Sequence, residues 1–478
     1  MDRRVGILAA ELYFPKQLIN QQLLEETDGC PGKYTNGLGQ VSMGICDIAE
    51  DINSLALTVT HNLIQRIGLD LKKVGFLEVG TESLVDKSKS TKSVLMQLFD
   101  ESGNYDVAGI DVKSACYGST AALFNAINWL ESTSCDGRLA LVVAADIAIY
   151  ATKSTQPTGG AGAVALLLGP NAPLVPDPGL RVCCMRHRYD FYKPIMSSVF
   201  PEVDGHLSIT CYKEALLSCY ALYRSKVEKS TGQGPSVLAD FLPRSTAAAP
   251  FPIDYFCFHS PFCRLVAKSF GWLALEDVKT AKAAGLISMP AAAAGEPTST
   301  CSDLVAKLYP LLENQISPRE LDTACLEASK DLFEKRVKPG LLLASKIGNM
   351  YTASLYSCLI SLCCTVPEEE LRGRRILMYA YGSGYTASMF SILVSPHASM
   401  SSIFGVNTPA SPIERLTLRV PITYEEFQEM IKSRETSVDK APLEPPFNPN
   451  NFFPGTYFLS KIDDNHRRFY NRVPLSRQ

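Results

Sequence analysis

An alternation of two hydrophobic periods constrains this chain more than any other feature. Nearly continuous apolar runs at 5–10, 75–79, 108–112 and 139–145 read as strands. Between them, 51–67 and 117–130 carry apolar residues at helical spacing, among them Ile52, Leu55, Val59 and Leu63, then Leu123, Phe124, Ile127 and Leu130. Strands apolar on both faces must be covered on both faces, so the pattern predicts a layered α/β fold. Another strand, 161–168, follows the turn Pro157-Thr158-Gly159-Gly160; 192–205 is polar and turn-rich, and 207–229 is helical. After a variable stretch at 230–251 the alternation restarts. Strands are expected at 255–258 and 340–344, and helices at 261–273, 322–335 and 351–364. Closing strands at 375–381 and 385–394 are joined through Gly382-Ser383-Gly384. The similar element order predicts two related lobes, 1–205 and 206–395, without a sequence repeat. From Ser395 onward Pro and Ser accumulate around one helix at 424–433, so 396–478 read as a wrapping tail.

Composition narrows the function. At 478 residues the chain suits two to four core-forming units, taking roughly 100–200 residues each. Hydrophobic residues at 46% and charged residues at 20% argue against disorder. Lys and Arg total 46 against 49 Asp and Glu, so no basic excess exists to neutralise a nucleic acid. The fifteen cysteines are odd in number and scattered, with adjacent pairs at Cys183–Cys184 and Cys363–Cys364 but no zinc-site spacing. Reduced, mostly buried thiols are expected, and no metal. No apolar stretch approaches the roughly 20 residues of a membrane span. The run after Met1-Asp2-Arg3-Arg4 is too short for a secretory signal, and Leu475-Ser476-Arg477-Gln478 carries no lipidation motif. The expectation is a soluble cytoplasmic protein that binds neither nucleic acid nor membrane.

Five residues have chemistry to offer. Cys116 lies between an expected strand and an expected helix, among small neighbours Ser114-Ala115-Cys116-Tyr117-Gly118-Ser119. A helix N-terminus favours the thiolate; the plainer alternative is a structural cysteine near a tight turn. His259 ends an apolar strand, where α/β enzymes present polar groups, although a lone buried histidine is often only satisfied. Glu82 follows a strand end, where partial desolvation would suit a base; an exposed loop glutamate is the commoner case. Asn349 reads as a helix cap or as a hydrogen-bond donor to an acyl oxygen. Ser383, between two glycines, reads as part of a turn or of the same donor set.

Seven ordered segments resemble the hydroxymethylglutaryl-CoA synthase family of the thiolase superfamily. They are Gly37-Leu38-Gly39-Gln40, Glu78-Val79-Gly80-Thr81-Glu82 with Asp86-Lys87-Ser88-Lys89-Ser90, Ala115-Cys116-Tyr117-Gly118, Tyr189-Asp190-Phe191-Tyr192-Lys193-Pro194, His259-Ser260-Pro261, Gly348-Asn349-Met350-Tyr351 and Tyr381-Gly382-Ser383-Gly384. The resemblance runs from about Val5 to Val394 and recurs weakly at Pro454-Gly455-Thr456-Tyr457. It implies a duplicated thiolase-like fold in α-β-α-β-α layers and a homodimer. It further implies condensation of acetyl-CoA with acetoacetyl-CoA, supplying isoprenoid and sterol precursors through mevalonate. Cys116 would carry the acetyl group, Glu82 would remove its methyl proton, and His259, as general acid, with Asn349 would hold the acceptor oxygen. Backbone N–H groups at Cys116 and Ser383 would form the oxyanion hole. Tyr150, Thr158 and Ser208 match substrate-contact positions. Lys268, Arg264 and Ser154 match the coenzyme A mouth, although the two basic residues could equally be a solvated helix face. No cofactor beyond the thioester substrates is implied.

The chain departs from the family pattern at Ser114, usually Asn, and Ser119, usually Gly. Lys153, Ser154 and Gln156 replace a common Gly-Asn-x-Arg, and Arg181-Val182-Cys183-Cys184 replaces a segment in which Gly usually follows the Arg. These leave two alternatives: an acyl-CoA-binding paralogue with little turnover, and a condensing enzyme using a carrier-protein thioester.

Overall fold

The computed structural model describes residues 4–232, 251–285, 287, 300–314, 316–406 and 411–475. Residues 233–250 of the expected variable stretch, and Ser476-Arg477-Gln478, lie outside them. Ten strands form one mixed sheet. They are β1 (Gly6–Tyr13), β2 (Val74–Gly80), β3 (Asp111–Val112), β4 (Leu139–Ala148), β5 (Gly160–Gly169), β6 (Leu174–Pro176), β7 (Val182–Met185), β8 (Tyr255–Phe258), β9 (Arg375–Gly382) and β10 (Thr386–Val394). The order is β8-β9-β10-β6-β1-β5-β4-β2-β3, with β7 also paired to β10.

The duplication is legible in strand direction. In the first half β2 runs parallel to β4, then β5 and β1 follow antiparallel. In the second, β8 runs parallel to β9, then β10 and β6 follow antiparallel. The short β6 pairs with both β1 and β10 and joins the two sets.

Two helices lie between strands of opposite halves. Helix α2 (Gly118–Glu131) packs on β2 and β4, while its Phe124 meets Phe390 of β10 edge-on at 5.2 Å. Helix α5 (Ser354–Thr365) packs on β8 and β9, and also on β1. Helix α1 (Ile52–Ile67), capped by the Asp51 side chain, covers β1, β5 and β4. Helix α3 (Gly205–Thr231) covers β10 and β7. Helix α4 (Cys263–Ala283) packs on α3. This is the layered arrangement the resemblance implies, and one continuous core spans both halves.

The structure differs from the sequence reading in four places. The expected strand at 340–344 is a 3₁₀ turn, Lys338–Leu341, running into a helix, Leu342–Ile347. Leu, Ala and Lys are good helix formers and the run lacks β-branched residues until its end, so a short apolar run misled. The expected helix at 322–335 is two helices, Pro318–Ala328 and Lys330–Arg336, meeting at Ser329. The strand expected at 108–112 persists only as β3. Gly109, with φ +104°, breaks it where a Cβ would lie 2.1 Å from the Leu77 carbonyl oxygen. The helix expected at 351–364 begins as a 3₁₀ turn, because Tyr351 takes φ +42°.

The tail crosses the first half. Val420 and Pro421 pair in parallel with Gln17 and Leu18, α6 (Tyr424–Thr436) follows, and the hairpin Tyr457–Ile462/Arg468–Arg472 docks on α1 through Arg468 and Tyr470 at Asp51.

Candidate active site

The strand ends of both halves converge on one turn. A Cβ at Gly80, the end of β2, would lie 2.3 Å from the Ser119 nitrogen, so α2 starts directly on that strand end. A Cβ at Gly382, the end of β9, would lie 2.6 Å from the Ser114 oxygen and 2.7 Å from the Tyr117 nitrogen. Cys116 sits in the turn so enclosed. Ala115 before it has φ +44°, a left-handed conformation that costs roughly 1–2 kcal/mol for a residue with a Cβ.

Asp146 ties this turn's surroundings together from inside β4. It is fully buried. One carboxylate oxygen accepts from Thr81 Oγ1, from the Glu82 and Ser83 N–H groups at 2.9 and 3.1 Å, and from Ser83 Oγ. The other accepts from Thr352 N at 3.0 Å and from the Thr352 hydroxyl, both in the second half. One side chain thus fixes the Glu82 backbone to the segment before α5.

Glu82 is buried rather than loop-exposed, with its side chain 6% accessible. Burial pushes its carboxyl up to about 7; Lys193 Nζ, 3.6 Å away, pulls it back, and Asp146 adds to the rise. The Cys116 thiol is pushed well above its ordinary value, first by burial and then by Glu82 and Asp146, while its own N–H and Lys193 oppose this. The thiolate expected from a helix N-terminus is therefore absent at rest. Burial and two carboxylates outweigh the helix dipole, and Cys116 precedes the helix cap, Tyr117. Tyr150 and Tyr351 meet edge-on at 6.5 Å, and Cys116 and Phe191 pack against them. Burial dominates the Tyr150 hydroxyl, whose neighbours include Tyr351 and Thr158.

The second half brings neutral groups. His259 follows β8; its N–H donates to the Tyr379 oxygen at 2.8 Å and its carbonyl accepts from Tyr212. Its ring is buried, with Nδ1 unpartnered among the described residues, and burial lowers it to about 3. The imidazole is neutral at physiological pH, so it offers a hydrogen-bond donor rather than a preformed imidazolium. Asn349 is buried, and its Oδ1 accepts from Tyr351 N at 2.9 Å and Ser354 Oγ at 3.0 Å, which leaves the amide nitrogen for other work. Glu82, Ser114, Ala115, Lys193 and Ser383 line a cavity of about 380 Å³, with Arg434 of α6 on its wall.

Other expected contacts lie further out. Ser208 Oγ donates to the Asp190 carbonyl at 2.9 Å, and Thr158 Oγ1 donates to the Thr155 carbonyl. Ser154 is exposed in a turn beside Thr152. Lys268 Nζ lies 3.3 Å from Asp322, which also accepts from Trp272. Arg264 is exposed on α4. None of these last three lines the cavity beside Glu82.

Sequence reasoning gave no role to Asp146, Asp190 or Lys193. Asp146 was the one charge inside an otherwise apolar strand, which was a usable signal. Asp190 is buried, accepting from the Tyr381 hydroxyl at 2.9 Å and the Gly384 N–H at 2.7 Å, and so fixes the turn that carries Ser383.

Comparison with known proteins gives the family. Residues 1–173 match the family model described as hydroxymethylglutaryl-coenzyme A synthase N terminal, and residues 174–473 match its C-terminal counterpart. The chain belongs to the hydroxymethylglutaryl-CoA synthase family. It is 46% identical to the mitochondrial hydroxymethylglutaryl-CoA synthase of Homo sapiens, over 98% of this chain and 90% of that one. It is equally identical to hydroxymethylglutaryl-CoA synthase 2 of Blattella germanica, over 98% of both. A solved structure of MvaS in complex with 3-hydroxy-3-methylglutaryl coenzyme A superposes with a TM-score of 0.79 at 31% identity, covering 99% of this chain and 100% of that one.

Two departures from the family pattern are absorbed locally. Ser119 Oγ donates to the Thr352 carbonyl at 2.5 Å, and Ser114 Oγ reaches Thr386 Oγ1 at 3.4 Å. Both bonds run between the halves.

Proposed function

We propose that this chain condenses acetyl-CoA with acetoacetyl-CoA and water, releasing 3-hydroxy-3-methylglutaryl-CoA and coenzyme A. The observation that carries this reading is the buried Glu82 side chain, 3.6 Å from Lys193 and tied by its N–H to Asp146, in the cavity that the turn carrying Cys116 lines through Ser114 and Ala115. Cys116 sulfur attacks the acetyl thioester and coenzyme A leaves, which divides one difficult step into two. The Glu82 carboxylate then removes a methyl proton, and N–H groups at Cys116 and Ser383 hold the enolate oxygen. The enolate carbon attacks the acceptor ketone, whose oxygen is held by His259 and Asn349; the alkoxide formed takes a proton from water to become the product hydroxyl, and Glu82 returns its proton to solvent. His259 acts there as a neutral donor, in keeping with its burial. Water releases the product from Cys116. The reading calls for no cofactor beyond the thioester substrates, and Lys268, Arg264 and Ser154 would serve the coenzyme A end. The product feeds mevalonate and hence isoprenoid and sterol precursors.

The same reading makes the protein a cytoplasmic homodimer. No described helix is long and apolar enough to cross a membrane, and relatives of equal identity are named both mitochondrial and cytoplasmic. The described cysteines are free, which suits a reducing compartment. β3 is an edge of the sheet, and Ile110 beside it is exposed, an open strand edge that suits a second copy. Sedimentation of the purified chain tests the dimer.

Incubation with acetyl-CoA and mass analysis of the intact protein tests the chemistry. One acetyl group on Cys116, discharged as hydroxymethylglutaryl-CoA when acetoacetyl-CoA is added, is the expected result. An acetyl group that never discharges would instead mark an acyl-CoA-binding paralogue.

A further inference from the structure

Two consecutive residues at the end of α6 hold two separate segments, one of which lines the cavity through Ser198 and Val199. The Arg434 guanidinium donates through Nη2 to the carbonyls of Asp47 at 2.8 Å, Glu50 at 3.0 Å and Cys46 at 3.3 Å. Glu435 turns the other way: Oε1 accepts from Ser198 Oγ at 2.7 Å and Oε2 from the Val199 N–H at 3.0 Å. Ser198 in turn receives the Phe200 N–H at 3.2 Å, so the carboxylate fixes a turn and not a single side chain. That turn ends the segment 191–199, whose other end carries Lys193. The Lys193 ammonium stands 4.7 Å above the centre of the Tyr351 ring and 3.6 Å from Glu82 Oε1. Arg434 also lines the same cavity as Glu82 and Lys193.

We propose that Glu435 is a positioning residue for the condensation: from a helix end that Arg434 anchors to the 46–50 carbonyls, it braces the 191–199 segment so that Lys193 faces Glu82. The proposal rests on Glu82 being the base. It gives the tail a part in the chemistry although no tail residue touches the reacting atoms. The groups around Glu82 are Lys193 from this segment, Asp146 from β4, Cys116 from the turn before α2, and the Tyr150 and Tyr351 phenols. Lys113 and Arg434 line the same cavity; Lys193 is the cation that lowers Glu82. Its displacement leaves Glu82 with burial and Asp146, both of which favour the protonated acid. A base must be ionised to work, so the acid limb of the condensation rate should move to higher pH when the brace is cut.

The test is the pH profile of condensation in Lys193→Met, Glu435→Ala and the double variant, with Cys116 acetylation followed in parallel. Lys193→Met should raise the acid limb by about one pH unit, the lower end for losing an opposite charge at this range. Glu435→Ala should raise it by less, and Glu435→Gln, which keeps one acceptor oxygen, by less again. The double variant should match Lys193→Met alone, because Glu435 acts through Lys193. A uniform loss of rate at every pH in Glu435→Ala, or an added shift in the double variant, would overturn the proposal. The ¹³C carboxyl titration of Glu82, assigned with Glu82→Gln, reads the same shifts without turnover. Titration shifts as stated in a protein that does not condense would sink the functional reading and leave the brace standing. Normal condensation with unshifted titration would do the reverse.

Discussion

The two halves end their strands in opposite chemical styles. The first half supplies ionisable groups: Glu82, Asp146 and the Cys116 thiol. The second supplies groups that stay neutral: His259, Asn349 and the Ser383 turn. The same physical cause acts on both. Burial lifts the Glu82 carboxyl to about 7, which poises it for proton transfer, and drops the His259 imidazole to about 3, which removes its charge. On the proposed mechanism, a duplicated scaffold would place proton handling on one side and the holding of the acceptor oxygen on the other, without different burial.

Substitutions that hit one side and spare the other test this division. Cys116→Ser should abolish acetyl transfer altogether, since a serine hydroxyl is far harder to ionise than a thiol; a labelled acetyl group on another cysteine would break the assignment. Glu82→Ala should cut condensation on the order of 10²–10⁴-fold. It should leave Cys116 acetylation intact or faster, because the Glu82 charge is one of the groups opposing thiol ionisation. In the unmodified protein, condensation should fall as pH drops through about 7, where Glu82 takes up its proton. His259→Ala should lower condensation by about 10²-fold, as for loss of one oxygen-holding donor. The acid limb near pH 7 should not move in that variant, and acetylation should be nearly normal. A moved limb would mean the halves do not divide the work. Ser119→Gly should have the smallest effect: about 1 kcal/mol of stability from the lost bond to Thr352, read by denaturant unfolding, with condensation nearly unchanged.

Much of this was legible in the sequence because layered α/β folds write their strands as apolar runs and their helices as stripes. Strand 255–258 and both closing strands stand where periodicity put them. The 340–344 segment failed because five apolar or small residues fit a buried helix as well as a strand. Cys116, Glu82 and His259 were visible as polar residues delivered at strand ends. Their acid–base states were not, because these depend on burial and on partners far along the chain. Glu82 owes its raised value first to burial; Lys193, 111 positions away, opposes the rise and Asp146, 64 positions away, adds to it. No local pattern announces Arg434 and Glu435 either, since helix α6 reads as an ordinary amphipathic surface helix.

The resting state of Cys116 has a consequence for chemical wear. Peroxide and disulfides attack thiolates, and a thiol held protonated by burial and neighbouring carboxylates is a slow target for both. As the proposed nucleophile, Cys116 would thereby be shielded while idle. Cys183 is the exposed one among the described cysteines, with its sulfur 3.1 Å from Ser388 Oγ. Under oxidative stress the first lesion should therefore fall on Cys183, and catalytic capacity should outlast the first modified sulfur.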